Sequence, residues 1–279
     1  MALSESEARQ VEAANAGERT PVVFVHGLWL LAGSWQRWAD LFDGAGYAPV
    51  LAEWPDDPAT VGEARANPQT FAGKGVARVA DHMAEVIGAL EHKPAVLGHS
   101  FGGLIAQILA GRGLSAATVA VDPAPFKGVL PLPLPALRAT LPVTRNPLNR
   151  GRAVTLTPAQ FRYGWANAVD ETEAQALYEE FHVAAPGLPI FQAAMANLNP
   201  AAETRVDTRN PDRGPLLIFT GEADHAVPSA MSNAAFKKQL RNPGVTELAE
   251  MPNRGHSLTI DSGWREVADE ALAFLKRFV

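Results

Sequence analysis

Ser100 stands in the run Gly98-His99-Ser100-Phe101-Gly102, the Gly-x-Ser-x-Gly spacing that a nucleophilic serine needs on a sharp strand-to-helix turn. A residue on so tight a turn sits in strained backbone, and glycines two positions to either side are required because a Cβ there would collide with the chain. The apolar run Ala95-Val96-Leu97 precedes the motif and an apolar helical pattern from Phe101 to about Ala110 follows it. The helix N-terminus would therefore point amides and the positive end of its dipole at a developing oxyanion. The blander reading is that the glycines only let a helix pack closely on a strand, with Ser100 as its cap.

A serine hydroxyl is a poor nucleophile until a base takes its proton, so the motif demands a histidine and a carboxylate elsewhere in the chain. Gly255-His256-Ser257 supplies the expected base, and Gly221-Glu222-Ala223-Asp224 the expected acid, Asp224. Asp122 is the alternative acid because it ends the strand after the nucleophile helix, although an Asp-Pro pair is also an ordinary turn. Glu222 is a third candidate. The other histidines show no pair with convincing metal-ligand spacing, and His82, His92 and His182 fall on expected helices or their ends.

Composition limits the alternatives. The chain has 279 residues, 47% of them hydrophobic and 19% charged, which suits a globular domain and not a disordered one. With no cysteine, disulfides, thiolate metal sites and cysteine nucleophiles are excluded. A net charge of -6 with 24 basic residues spread along the chain gives no footprint for nucleic acid or an anionic membrane, so neither is an expected partner. Met1 to Gly17 lacks the basic start and apolar stretch of a secretory signal, and no segment reaches membrane-spanning length; the cytoplasm is the expected location.

The elements that must position these residues alternate. Pro21 to Val25 is a buried-strand pattern ended by His26-Gly27, Trp35 to Gly44 reads as a helix, and Ala48 to Leu51 as a strand before a proline-containing loop through Pro68. Gly75 to Leu90 places apolar residues three and four apart on one helical face. Thr118 to Val121 is the strand after the nucleophile helix, and the rhythm implies right-handed parallel crossovers. From Pro123 to about Pro142 six prolines argue against a regular helix. Thr157-Pro158-Ala159-Gln160 and Asp170 to Glu173 open helices, and a third is expected over Pro189 to Leu198. Strand-helix alternation resumes at Pro215 to Phe219, with a helix from Ser229 to Leu240, a strand near Val245 to Leu248 and a closing helix from Trp264 to Phe278. The expected architecture is an α/β fold, a mostly parallel sheet flanked by helices, with residues 1–122 and 214–279 as core and 123–213 as a mainly helical lid, or cap.

The strand into His26-Gly27, the Gly98 to Gly103 elbow, the Gly221 to Pro228 segment and the Gly255-His256 loop together resemble α/β-hydrolases of the serine esterase and cofactor-free peroxidase type. The resemblance spans Pro21 to the C-terminus. It implies an oxyanion hole made by the amides of Leu28 and Phe101, supporting roles for His26 and His99, and the chain order serine, acid, histidine. It departs from the family at the start, where two leading strands are hard to find, so a sheet truncated at that edge is expected. An aspartate nucleophile, as in dehalogenases and epoxide hydrolases of this fold, would have to replace Ser100.

Trp29 and Leu30, beside the oxyanion loop, are the expected pocket residues. Leu130, Leu132, Leu134, Phe161, Trp165, Phe191 and Met195 are apolar lid residues that could face the serine or seal the lid to the core. The expected activity is hydrolysis of a small, fairly apolar carboxylic ester or lactone through an acyl-enzyme, with no metal or organic cofactor. Perhydrolysis and carbon-carbon bond cleavage use the same residues, and a hydrolase-like small-molecule receptor is the reading from another class.

Overall fold

A computed structural model describes residues 2–279. Its strands are β1 (Pro21–Val25), β2 (Ala48–Ala52), β3 (Ala95–His99), β4 (Ala117–Val121), β5 (Ala153–Val154), β6 (Ala185–Pro186), β7 (Leu216–Gly221) and β8 (Thr246–Met251). In β1, β3, β4 and β7 every residue is buried, as continuous apolar runs covered on both faces must be. Six strands form one parallel sheet in the order β2-β1-β3-β4-β7-β8, and β5 and β6 pair antiparallel outside it.

Helices cover both faces. Glu5–Asn15, Val76–Gly88, Phe101–Gly111 and Ser229–Gln239 bury residues such as Val79, Leu104 and Met231 in one core. On the other face Gln36–Gly44 and Trp264–Leu275 bury Trp38, Phe42, Val267 and Leu275. Each large apolar side chain taken fully from water contributes about 1.5–3 kcal/mol.

The truncated edge is present, and the helix Glu5–Asn15 occupies it. Ser4 and Glu7 form a capping box at the start of this helix. In β2 the residues bonded to β1 alternate with those facing outward, and the outward amides are dealt with one by one. Pro49 has none, the Leu51 amide donates to Gln10 Oε1 at 2.7 Å, and the Glu53 amide donates to Glu7 Oε1 at 3.0 Å. Side chains of one helix thus close an edge that would otherwise be open to pairing.

Two expectations are corrected. The proline-rich stretch contains the helix Leu134–Thr144; Pro135 sits in its first turn, where the amide has no intrahelical partner, and Pro142 removes only one bond near its end. The loop expected through Pro68 contains the helix Val61–Ala66, opened by a Thr60–Glu63 capping box. Between β4 and β7 the chain also forms the helices Pro158–Gly164, Glu171–Phe181 and Leu188–Ala194. No helix among the described residues is long and apolar enough to cross a membrane.

The register brings the C-terminal ends of the strands level. Val25 lies opposite Gly98, His99 opposite Val121, Val121 opposite Phe219, and Gly221 opposite Met251. The loops leaving β1, β3, β4, β7 and β8 therefore gather on one edge, where ligands bind in open parallel sheets.

Candidate active site

Ser100 follows β3 directly, at φ 57° and ψ -121°. Such a conformation in a non-glycine residue is strained by about 1–3 kcal/mol and persists only where the surroundings enforce it. Here the Ser100 amide donates to Val121 O at 2.9 Å, while its carbonyl accepts the amides of Leu104 and Ala124. The glycines are obligatory for a measurable reason. A Cβ at Gly98 would lie 2.1 Å from Gly102 O, and one at Gly102 would lie 2.1 Å from Val25 O.

His256 arrives on the loop after β8 and Asp224 on the loop after β7. The Ser100 hydroxyl donates to His256 Nε2 at 2.9 Å, and His256 Nδ1–H donates to Asp224 Oδ2 at 2.6 Å. The other Asp224 oxygen accepts the amides of Ala226 and Val227 at 2.6 and 2.9 Å. With the carboxylate fixed, the imidazole carries its proton on Nδ1 and presents a lone pair to the serine. The structure thus brings together the three residues singled out from the sequence, all of them buried.

His99 lies behind the base. Its Nε2–H donates to His256 O at 2.9 Å, and burial together with the neighbouring His256 holds its imidazole well below the usual histidine range. A neutral ring thereby anchors the main chain of the base. Trp165 completes the support: its carbonyl accepts the Ser257 amide at 3.0 Å, and its ring meets the His256 ring edge-on at 4.6 Å.

Asp122, the alternative acid, is also close. It has φ 40°, its Oδ1 accepts the Gly221 amide at 2.7 Å, and it shares a buried cluster with Asp224 and His256 in which the ligand-type atoms all lie within 4.8 Å. Burial pushes its carboxyl well above the usual range, and the charge of Asp224 pushes the same way. A neutral Asp122 beside an ionised Asp224 is what two close buried carboxyls require. The cluster has the donors of a metal site, but His256 Nδ1 and Asp224 Oδ2 are already engaged with each other. Glu222 faces outward and accepts the Asn253 amide.

The turn Gly27-Leu28 lies against the serine, so close that a Cβ on Gly27 would sit 2.8 Å from Ser100 Cβ. The Leu28 and Phe101 amides have no acceptor among the described residues. His26 braces this turn: its Nδ1 lies 2.9 Å from Gly27 O and its Nε2 3.2 Å from Asp57 Oδ2, while Trp54 Nε1–H donates to His26 O. Lys74 pairs with Asp57, and both are buried. Sequence reasoning missed Asp57 and Lys74, since Asp57 stands in a Pro-Asp-Asp-Pro run that looks like a turn and Lys74 between two glycines.

Ser100 and His256 open into an apolar cavity of about 320 Å³. Trp29, Phe101, Leu132, Trp165, Ile190 and Val227 are among its lining. Of the pocket expectations, Trp29 lines it and Leu30 does not. Trp29 is in the left-handed region at φ 63°, so the chain turns between the two residues, and Leu30 is buried in the main core and borders only a small separate void. Among the apolar lid candidates, Leu132 and Trp165 face the cavity, Phe161 stacks behind Trp165 at 5.9 Å, Phe191 and Met195 line a separate cleft, and Leu130 and Leu134 face solvent. Leu156, Ile190, Val227 and Met231 also line it and were not anticipated; the i+3 and i+7 spacing of the last two from Asp224 is the one signal that could have found them.

Among curated proteins, none matches this sequence significantly. Solved structures do resemble it. A monoacylglycerol lipase from Paleococcus ferrophilus aligns over 93% of this chain and 95% of its own, with 22% identity and a TM-score of 0.63. A methylesterase from Arabidopsis aligns over 92% and 99%, with 15% identity and a TM-score of 0.64. Tomato methylketone synthase I, solved with 2-tridecanone, aligns over 94% and 100%, with 13% identity and a TM-score of 0.67. The family model described as "Alpha/beta hydrolase family" matches residues 22–270, and this chain therefore belongs to the alpha/beta hydrolase family.

Proposed function

We propose that the protein is a serine hydrolase that cleaves a small, fairly apolar carboxylic ester or lactone through an acyl-enzyme. The observation that carries this reading is the hydrogen-bonded series Ser100–His256–Asp224 at the wall of an apolar cavity. Ser100 Oγ attacks the ester carbonyl carbon as its proton passes to His256 Nε2. Asp224 holds the ring orientation and stabilises the imidazolium. The carbonyl oxygen, now an oxyanion, is received by the free amides of Leu28 and Phe101. Collapse expels the alkoxide, which takes the proton from Nε2. Water deprotonated by the same nitrogen then attacks the acyl-enzyme, releasing the acid and restoring Ser100.

The segment 123–213 acts in this reading as a cap that selects the substrate. It supplies Leu132, Leu156, Trp165 and Ile190 to the cavity wall, whose volume lies at the low end of ligand pockets. The esterase and lipase names among the structural neighbours agree with an ester, and the cavity offers apolar wall rather than charged groups to an acyl chain.

Hydrolysis of p-nitrophenyl esters of graded acyl length tests this directly. Wild type is expected to turn over short and medium chains, and a folded Ser100→Ala variant to lose on the order of 10⁴–10⁶ of that activity. Inactivity on every ester, with Ser100 still labelled by a fluorophosphonate, would overturn the substrate class. Failure of the label would overturn the mechanism and favour a receptor.

A further inference from the structure

Between Pro123 and Val169 the chain carries six basic residues and no Asp or Glu, in a protein whose net charge is -6. Lys127 donates to Asn199 O and Arg162 pairs with Glu171. The other four, Arg138, Arg145, Arg150 and Arg152, are exposed and have no ion-pair partner among the described residues. Arg138 lies over the Tyr163 ring at 4.0 Å, and Arg150 shares a surface cleft with Glu203, whose carboxylate accepts the Ala77 amide.

The same stretch exposes Leu130, Leu132, Leu134, Leu137, Leu141 and Leu148, with Leu134 at 79% and Leu130 at 76%. Single exposed leucines are ordinary, but a run of them on one surface is a recognition feature. The helix Leu134–Thr144 shows how they are arranged. Leu134, Leu137, Arg138, Leu141 and the C-cap Arg145 recur at three- and four-residue spacing along its outer face. Ala136 and Thr140 form the opposite stripe and line the Ser100 cavity, with Val143 buried beside them. Leu132 and Leu137 are both exposed and part of the cavity lining, so the leucine face runs without a break into the cavity mouth.

We propose that this face docks on an anionic lipid surface. The leucines enter the acyl boundary, Arg138, Arg145, Arg150 and Arg152 meet headgroup phosphates, and the mouth of the Ser100 cavity opens toward the bilayer. Leucine and arginine side by side on the helix Leu134–Thr144 and its C-cap, which carry no acidic residue of their own, is the chemistry of an interfacial helix. A second copy of this chain would bring like-charged guanidinium groups together. A nucleic acid would leave the leucines without a partner. The acidic remainder of the molecule opposes docking only weakly, because charges more than about 8–10 Å away are screened at physiological salt. Whole-chain charge, on which the expectation of no membrane partner rests, averages this segment with that remainder.

The test is flotation of the full chain with vesicles of phosphatidylcholine alone and of phosphatidylcholine mixed with phosphatidylglycerol. Wild type is expected to bind the anionic vesicles at least roughly tenfold better, with binding falling as salt is added. Arg145→Glu with Arg152→Glu should abolish the preference, and Leu134→Ser with Leu141→Ser should abolish binding. None of these four residues lines the Ser100 cavity, so both variants should keep the wild-type thermal midpoint and p-nitrophenyl acetate turnover. No binding to anionic vesicles, equal binding to neutral ones, or a concentration-dependent dimer lost in the leucine variant would overturn the proposal. Vesicle binding is read without turnover, so its outcome is independent of the reaction proposed for Ser100.

Discussion

The two walls of the Ser100 cavity differ in how much change they can absorb. On the elbow side, a Cβ added at Gly98 or Gly102 would come within 2.1 Å of a backbone oxygen, closer than any relaxation of side chains can relieve. On the facing side, a Cβ added at Gly164 would meet nothing nearer than Ala139 Cβ at 3.5 Å, an ordinary contact. The elbow is backbone packed on backbone, whereas the 123–213 segment turns side chains such as Leu132, Leu156 and Ile190 to the cavity and keeps its own tight backbone contact away from it, where a Cβ at Gly187 would lie 2.1 Å from Asn149 O. Under the proposed function this contrast is a division of labour, in which the elbow and its partner loops set the reaction and the opposite wall sets which substrate reaches it.

The sharpest way to break that division is to change an acid behind the elbow, where every substrate should suffer alike. Asp224→Asn should lower kcat/KM by about 10⁴ for all esters, because an amide cannot hold the Nδ1–H tautomer or stabilise the imidazolium. Asp122→Asn should stay within roughly tenfold of wild type, since Asn is close in shape to the neutral carboxyl and can still accept the Gly221 amide. Equal losses in the two variants would show that both acids serve the base. Stability should also respond. A folded-state pKa raised above the usual carboxylate value favours the fold below that value and loses the advantage as pH rises. Urea unfolding should therefore find Asp122→Asn gaining stability relative to wild type as pH rises above the usual carboxylate value.

On the other wall the effect should depend on the substrate. Ala193 lines the cavity from the helix Leu188–Ala194, and Ala193→Phe would fill part of it. KM for p-nitrophenyl octanoate is expected to rise roughly ten- to hundredfold, with acetate turnover little changed. An equal loss on both esters would mean that the wall also positions the reacting carbonyl.

The same contrast explains what could be read from the sequence. Ser100, His256 and Asp224 were legible because each sits in a short glycine-containing run whose backbone demands are local, and the parallel alternation made it certain that their loops share one sheet edge. The capping box at Thr157 was legible for the same reason. The Thr60–Glu63 box was hidden among Pro55, Pro58 and Pro68, and the helix at Leu134 was hidden by Pro135 and Pro142, because a proline count does not say which prolines fall in a first turn. Leu30 was misplaced because the left-handed turn at Trp29 leaves no mark in residue type. The Lys74–Asp57 pair behind His26 joins residues with no local pattern, and only the tertiary fold reveals it.

The wall proposed to select substrate should also be the part that loosens in acid. His182 follows the helix Glu171–Phe181 as its C-cap, its Nε2 accepts the Leu156 amide at 3.3 Å, and its ring stacks on Tyr178 at 4.5 Å. Burial, helped by the charge of Arg65, lowers its pKa to about 3. A depressed pKa means that the unfolded chain takes up the proton first, so the stability from a neutral His182 is complete above the ordinary histidine value and drains away as pH falls below it. By pH 5 the loss from this one group is about 2 kcal/mol. Replacing it with glutamine, which can still accept the Leu156 amide, should flatten the stability profile between pH 7.5 and pH 5 by about that amount, measured as the urea midpoint at each pH. His99 titrates in the same direction but remains in the variant, so the difference between the two proteins isolates His182. An unchanged acid limb would mean that Leu156 and its neighbours are not held by a neutral imidazole, and that this wall is no softer to protons than the elbow it faces.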